Sequence, residues 1–183
     1  NGHCDFSNKK RKYWQPAMGN LDLDLDNTWP YKFTLSEIQC GAGIIMLKKL
    51  DNLNNLRIKR AKKFIKELSN FEELEFLKTT GKFRHVYHLL SAYYKPSKKI
   101  NKNHLIERLY NKYSIKCAVQ YYPLYKYDLF KKMRQGGKKL PYTEKFYNNM
   151  ISFPFHVWMS EKEFKYLINS VKKSLIEIRK LRK

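Results

Sequence analysis

A chain of 183 residues is long enough for one large domain, or for a small domain joined to part of another. Its 38 Lys plus Arg against 16 Asp plus Glu leave a formal charge of +22, while 43% apolar and 15% aromatic residues supply a core and exclude global disorder. No apolar run approaches the ~20 residues of a membrane-spanning helix, because Ile44-Ile45-Met46-Leu47 ends at Lys48-Lys49. Three cysteines (Cys4, Cys40, Cys117) with no CxxC pair fit reduced thiols in a cytoplasm, with no disulfide framework and no secretory signal. The first residues, Asn1-Gly2-His3, are those expected of a fragment. The charge argues against nucleic acid as a partner: 30 lysines and only 8 arginines are spread in ones and twos, whereas nucleic-acid sites favour arginine gathered on one surface.

Residues 1–30 carry turn formers (Gly2, Pro16, Gly19, Pro30) and read as loop, with a short strand at Leu21–Leu25 where Leu and Asp alternate. Thr34 and Glu37 form a capping box that opens a proline-free helix to Leu68, about 50 Å long at 1.5 Å per residue. Leu74–Leu77 and His85–Tyr94 read as strands. Asn101 caps a helix over Lys102–Tyr113; Ile115–Tyr122 is a third strand, stopped by Pro123. Asp128–Met133 is a short helix, Pro141–Met150 another, and Phe153-Pro154-Phe155 is extended. Ser160 and Glu163 form a second capping box before a last helix to Leu181. The expected fold is α+β: a long connecting helix, then a small domain with a mostly antiparallel sheet and flanking helices.

Local motifs for chemistry are sparse. Asp22-x-Asp24-x-Asp26 starts like a calcium loop, but Asn27 and Phe33 stand where an EF-hand needs Gly and Glu. His85 and His88, three apart on an expected strand, point to opposite faces and make a poor zinc pair. Cys117, among apolar neighbours, reads as a core thiol. Gly41 and Gly43 each cost about 1 kcal/mol relative to Ala inside a helix, which asks for another backbone close by, either within the domain or across a dimer. Tyr121, Tyr122, Tyr125 and Tyr127 cluster around Pro123 behind Gln120, a pattern that suits a pocket for a hydroxylated ligand and equally suits half-buried packing.

Five ordered segments together resemble the C-terminal half of the DegT/DnrJ/EryC1/StrS family, the pyridoxal-phosphate-dependent sugar aminotransferases of fold type I. They are Trp29 to Gln39 continuing to Asp51, His85-Val86-Tyr87-His88-Leu89, Val119 to Tyr125, Ile151 to His156, and Met159 to Phe164. The resemblance runs over residues 25–178. It implies a homodimer with active sites at the subunit interface, pyridoxal 5'-phosphate as cofactor, glutamate or glutamine as amino donor, and a keto-sugar nucleotide as acceptor for amino-sugar and polysaccharide biosynthesis. The Schiff-base lysine lies upstream in the family, so no catalytic residue is expected in this chain and the chain alone is expected to be inactive. Residues 1–60 then correspond to the tail of the large cofactor domain and 61–183 to the small domain.

Carried over residue by residue, the family's asparagine that reaches the cofactor phosphate falls on Lys32, which serves phosphate as a point charge. Tyr31 and Thr34 occupy the adjoining substrate positions, with Thr34 in place of an arginine. The two histidines of the strand motif fall on Gln120 and Tyr125, which with Tyr121 are expected near the substrate mouth. No metal site is expected. The alternatives are a sugar dehydratase of the same family and a non-enzymatic basic module for nucleic acid or anionic polymer.

Overall fold

The computed structural model of the chain describes residues 35–126 and 140–181. The chain divides into two units, residues 1–49 and 50–183. Lys32, Tyr31, Thr34, the expected strand at Leu21–Leu25 and the expected helix at Asp128–Met133 lie outside the described residues.

In the first unit, helix α1 (Glu37–Leu68) begins. Its capping box is Ser36 and Gln39 rather than the expected Thr34 and Glu37: Ser36 N–H donates to Gln39 Oε1 at 2.9 Å, and Gln39 N–H to Ser36 Oγ at 3.3 Å. The sequence Thr-Leu-Ser-Glu-Ile-Gln holds two overlapping boxes two residues apart, and one helix start uses only one of them. A Cβ built on Gly41 or Gly43 meets no atom within 4 Å among the described residues of the chain, so those residues do not make the close approach. Ile38, Ile45 and Met46 are exposed.

The second unit contains the rest of α1, strands β1 (Leu74–Phe76) and β2 (Leu90–Tyr94), helices α2 (Lys102–Tyr113) and α3 (Pro141–Asn149), strand β3 (Met150–Phe153) and helix α4 (Glu161–Lys180). The sheet is antiparallel in the order β1-β2-β3. Side chains alternate across it, and the register puts Leu90 opposite Phe153 and Ala92 opposite Ile151 on the core face. That face meets Ala61, Phe64 and Leu68 of α1, one helical stripe, and the Phe164–Ile178 stripe of α4. Phe64, fully buried, is the hub: its ring touches those of Phe76, Phe153 and Phe164. Leu105 and Leu109 bring α2 into the same core.

Ion pairs fasten the helices at its edge. Arg179 grips the buried Glu73 with two bonds of 2.7 and 2.8 Å. Glu177 accepts from Arg108 at 2.6 Å and Lys112 at 2.7 Å, tying α4 to α2. The Ser160–Glu163 capping box and the Asn101 cap are present as expected.

Three expected elements are shorter or shifted. The strand expected over His85–Tyr94 is limited to Leu90–Tyr94, because Tyr87 adopts φ 52°, a left-handed conformation that no strand accommodates. The strand expected over Ile115–Tyr122 forms a single bridge, Ala118 to Ser152. The helix expected to reach Met150 stops at Asn149, and Met150–Phe153 becomes β3, fully buried and therefore uniformly apolar apart from Ser152.

Candidate functional site

One cluster of polar contacts in the second unit lies around the run Lys116–Lys126 and α3. Gln120, half-buried, donates its backbone N–H to Met150 Sδ at 3.2 Å, which anchors the run to β3. The Gln120–Tyr121 peptide bond is cis. Tyr121 is exposed. The run then turns through a short 3-10 segment, Leu124–Lys126, where α3 holds it. Glu144, in the first turns of α3, accepts from the Tyr125 hydroxyl and from Lys126 Nζ, the latter at 2.5 Å.

The two bonds act on all three groups. The Lys126 bond first, and then the Tyr125 bond, hold the Glu144 carboxyl below the usual carboxylate range. The same carboxylate raises the Tyr125 phenol and the Lys126 ammonium. One turn further along α3, Tyr147 meets the Tyr122 ring in a T-shaped contact at 5.6 Å between centroids. Tyr147 also stands under two cations, Lys102 Nζ at 4.9 Å and Lys126 Nζ at 5.8 Å. Lys102, buried at the start of α2, donates to the Tyr147 carbonyl at 2.5 Å, a group that the end of α3 leaves without a helical partner. Desolvation lowers the Lys102 ammonium.

The expected site residues thus stand in different settings. Gln120 lines a cavity of about 200 Å³ with His88, Lys116 and Ser152. Tyr125 is committed to Glu144, and Tyr121 is open to solvent. His85 and His88, expected on opposite faces, instead border one cleft of about 280 Å³. The reason is the Tyr87 turn: Tyr87 N–H donates to His85 Nδ1 at 3.2 Å and the two rings meet edge to face, so the strand period does not apply. Among the described residues no three His, Cys, Asp or Glu side chains stand together as metal ligands. Cys117 packs against the core, and burial pushes its thiol up to about 12, which makes it a poor nucleophile. Glu144 was invisible in the sequence, since nothing in its spacing links it to Tyr125 nineteen residues earlier.

These elements, with their order and pairing, match known proteins. The sequence model of the DegT/DnrJ/EryC1/StrS aminotransferase family covers residues 4–172. The chain belongs to that family. It is 30% identical over 182 residues to the UDP-4-amino-4,6-dideoxy-N-acetyl-beta-L-altrosamine transaminase of Campylobacter jejuni serotype O:2, covering 93% of this chain and 43% of that one. It is 31% identical over 152 residues to the uncharacterized protein MJ1066 of Methanocaldococcus jannaschii, covering 81% of this chain and 39% of that one. The fold matches Helicobacter pylori PseC, an aminotransferase of pseudaminic acid biosynthesis, with a TM-score of 0.74 at 24% identity over 92% of this chain and 43% of the other. The chain therefore spans about two fifths of the length of these relatives. No helix among the described residues is long and apolar enough to cross a membrane.

Proposed function

We propose that this chain is the C-terminal part of a pyridoxal-phosphate-dependent aminotransferase that moves an amino group from glutamate or glutamine to a keto-sugar nucleotide in amino-sugar biosynthesis. The observation that carries the reading is the 30% identity to a sugar-nucleotide transaminase over nearly the whole chain, within a family match. In this reading residues 1–60 complete the large domain, 61–183 form the small domain, and two copies in the cytoplasm share interfacial active sites. Lys32 holds the cofactor phosphate, with Tyr31, Thr34, Gln120, Tyr121 and Tyr125 toward the substrate.

A Schiff-base lysine must offer a free amine beside the cofactor ring. The described residues do not fit that role: their one buried lysine, Lys102, gives its ammonium to the Tyr147 carbonyl and ring. No step through the cofactor is therefore assigned to them. The work of the described residues is positional. Glu144 and Tyr147 fix both ends of the Tyr122–Lys126 segment on α3, so that Gln120 and Tyr121 enter the segment from a set direction.

The test is transamination by the polypeptide as its gene encodes it, purified and loaded with pyridoxal phosphate. Glutamate or glutamine is expected to bleach the cofactor's visible band, and a UDP-4-keto sugar to restore it while gaining an amino group detectable by mass. A cofactor-loaded protein that dehydrates a sugar nucleotide, and aminates none with either donor, overturns the reading.

A further inference from the structure

Helices α1 and α4 lie side by side over the core face of the sheet. Arg60 of α1 reaches Glu161 at the start of α4, and farther along both helices Lys172 reaches Glu67, so the two run in the same direction with ion pairs along their seam. Ala61, Phe64 and Leu68 turn one side of α1 to the core, and Phe164, Leu167 and Val171 do the same for α4. A period of 3.6 therefore sends residues 59, 62 and 66 of α1, and residues 162, 165, 173 and 180 of α4, to the opposite side. All seven are lysines, and all seven are exposed. Lysines that stand in ones and twos along the chain are thus gathered by two helices onto one surface.

This surface keeps its charge. None of the seven lysines makes an ion pair among the described residues, because the carboxylates beside them are already committed: Glu67 to Lys172, Glu161 to Arg60, and Glu177 to Arg108. The same surface exposes apolar and aromatic side chains. Ile176 stands between Lys173 and Lys180 on α4 and is 47% exposed. Tyr166, whose hydroxyl donates to the Tyr113 carbonyl at 3.0 Å, leaves half its side chain in solvent. Trp158, 72% exposed, sits on the turn before α4, which Arg60 holds beside α1 through the His156 and Val157 carbonyls. No residue of this surface belongs to the candidate site around Gln120 and Tyr125.

We propose that this two-helix face docks on an anionic lipid membrane surface, its lysines drawn to the headgroup phosphates and Trp158, Tyr166 and Ile176 set at headgroup level. A cluster of about four to eight basic residues on one helical surface is the size that an anionic leaflet attracts. The use of lysine alone favours lipid over nucleic acid. Fluid headgroups ask only for point charges, whereas nucleic acid rewards the planar arginine fork. Trp and Tyr, each with an apolar body and a polar tip, suit the membrane–water interface. Docking of this kind lies on the bilayer and needs no spanning helix. It goes beyond the transaminase reading, because it needs neither cofactor nor turnover.

The test is cosedimentation of the polypeptide as its gene encodes it with vesicles of phosphatidylcholine alone, or of phosphatidylcholine with about one third phosphatidylglycerol. Binding is expected only to the second, and is expected to fall as salt rises. Each lysine of the face is expected to contribute about fivefold. The combined changes Lys59→Gln, Lys66→Gln, Lys165→Gln and Lys173→Gln are then expected to weaken binding more than about a hundredfold. All four side chains are exposed, so the core is untouched. The same loss of charge on exposed loops, Lys78→Gln, Lys82→Gln, Lys98→Gln and Lys99→Gln, is expected to cost less than about fivefold. Trp158→Ser is expected to weaken binding while leaving its salt dependence unchanged. Absence of binding to the anionic vesicles, or equal losses from the two fourfold variants, overturns the proposal. So does tighter binding to duplex DNA than to the vesicles, lost in the helix variant, which would make the face a nucleic-acid surface.

Discussion

The two faces of the small sheet are held by different physics. On the core face Phe64 packs against three other aromatic rings, and the buried stripes of α1 and α4 repeat with helical period. Apolar contacts of this sort are individually weak, non-directional and numerous, so the face tolerates no large void yet needs no particular partner. The outer face relies on a few specific pairs: Glu144 with Tyr125 and Lys126, and Tyr147 with Tyr122 and Lys102. Removing one partner there releases one segment, whereas removing one core ring weakens everything that rests on the sheet. The difference separates stability, carried by one face, from the positioning of chemistry, carried by the other.

The sharpest way to break that comparison is Phe64→Ala. The ring is fully buried, and its loss leaves a cavity bounded by Phe76, Phe153 and Phe164. A destabilisation of about 3–5 kcal/mol is expected in urea unfolding, with the core and outer-face signals lost in one transition. Two separate transitions would show that the outer face has a stability of its own and would sink the division of labour.

A smaller effect is expected from Tyr147→Leu. The substitution keeps an apolar residue on α3 but removes the edge-to-face partner of Tyr122 and the ring under Lys102 and Lys126. About 1 kcal/mol is expected to be lost, the usual worth of an aromatic pair beyond its buried area. Hydrogen exchange is expected to quicken in residues 121–126 while Ile151 and Phe153 stay protected. Equal loss of protection on both faces would mean that α3 supports the core as well.

The same division explains what was legible in the sequence. The Asn101 and Ser160 caps and the α+β order were legible, because capping side chains reach only their own turn and helical and strand periods differ. The cavity that Gln120 borders was not legible, because its lining comes from separate segments, His88–Leu90, Lys116–Gln120 and Ser152–Phe155. Periodicity fails where a single residue changes the backbone state, as Tyr87 does before β2, and where a short buried strand reads like the end of a helix, as Met150–Phe153 does. It also says nothing of Glu144, whose role arises from residues brought together only by the fold.

The smallest effect, and the one most specific to the outer face, is on pH. Glu144 is held below the ordinary carboxylate range by its bonds from Lys126 and Tyr125. A depressed carboxyl stabilises the folded arrangement above its unfolded pKa, and that contribution is lost only as pH falls through the lowered folded value. The Tyr125 ring resonance and the Lys126 side chain are therefore expected to keep their neutral-pH shifts while free glutamates titrate, and to move only at lower pH. Glu144→Gln is expected to abolish that acid transition and to bring the Tyr125 phenol, now raised by the carboxylate, back toward the ordinary tyrosine range. Because the clamp is solvent-accessible, its loss is expected to free the 121–126 segment without unfolding the sheet. If Tyr125 moves in step with free glutamates, or if the core-face amides lose protection in the same transition, Glu144 is a surface ion pair of no positional consequence and the outer face has no independent means of holding its site.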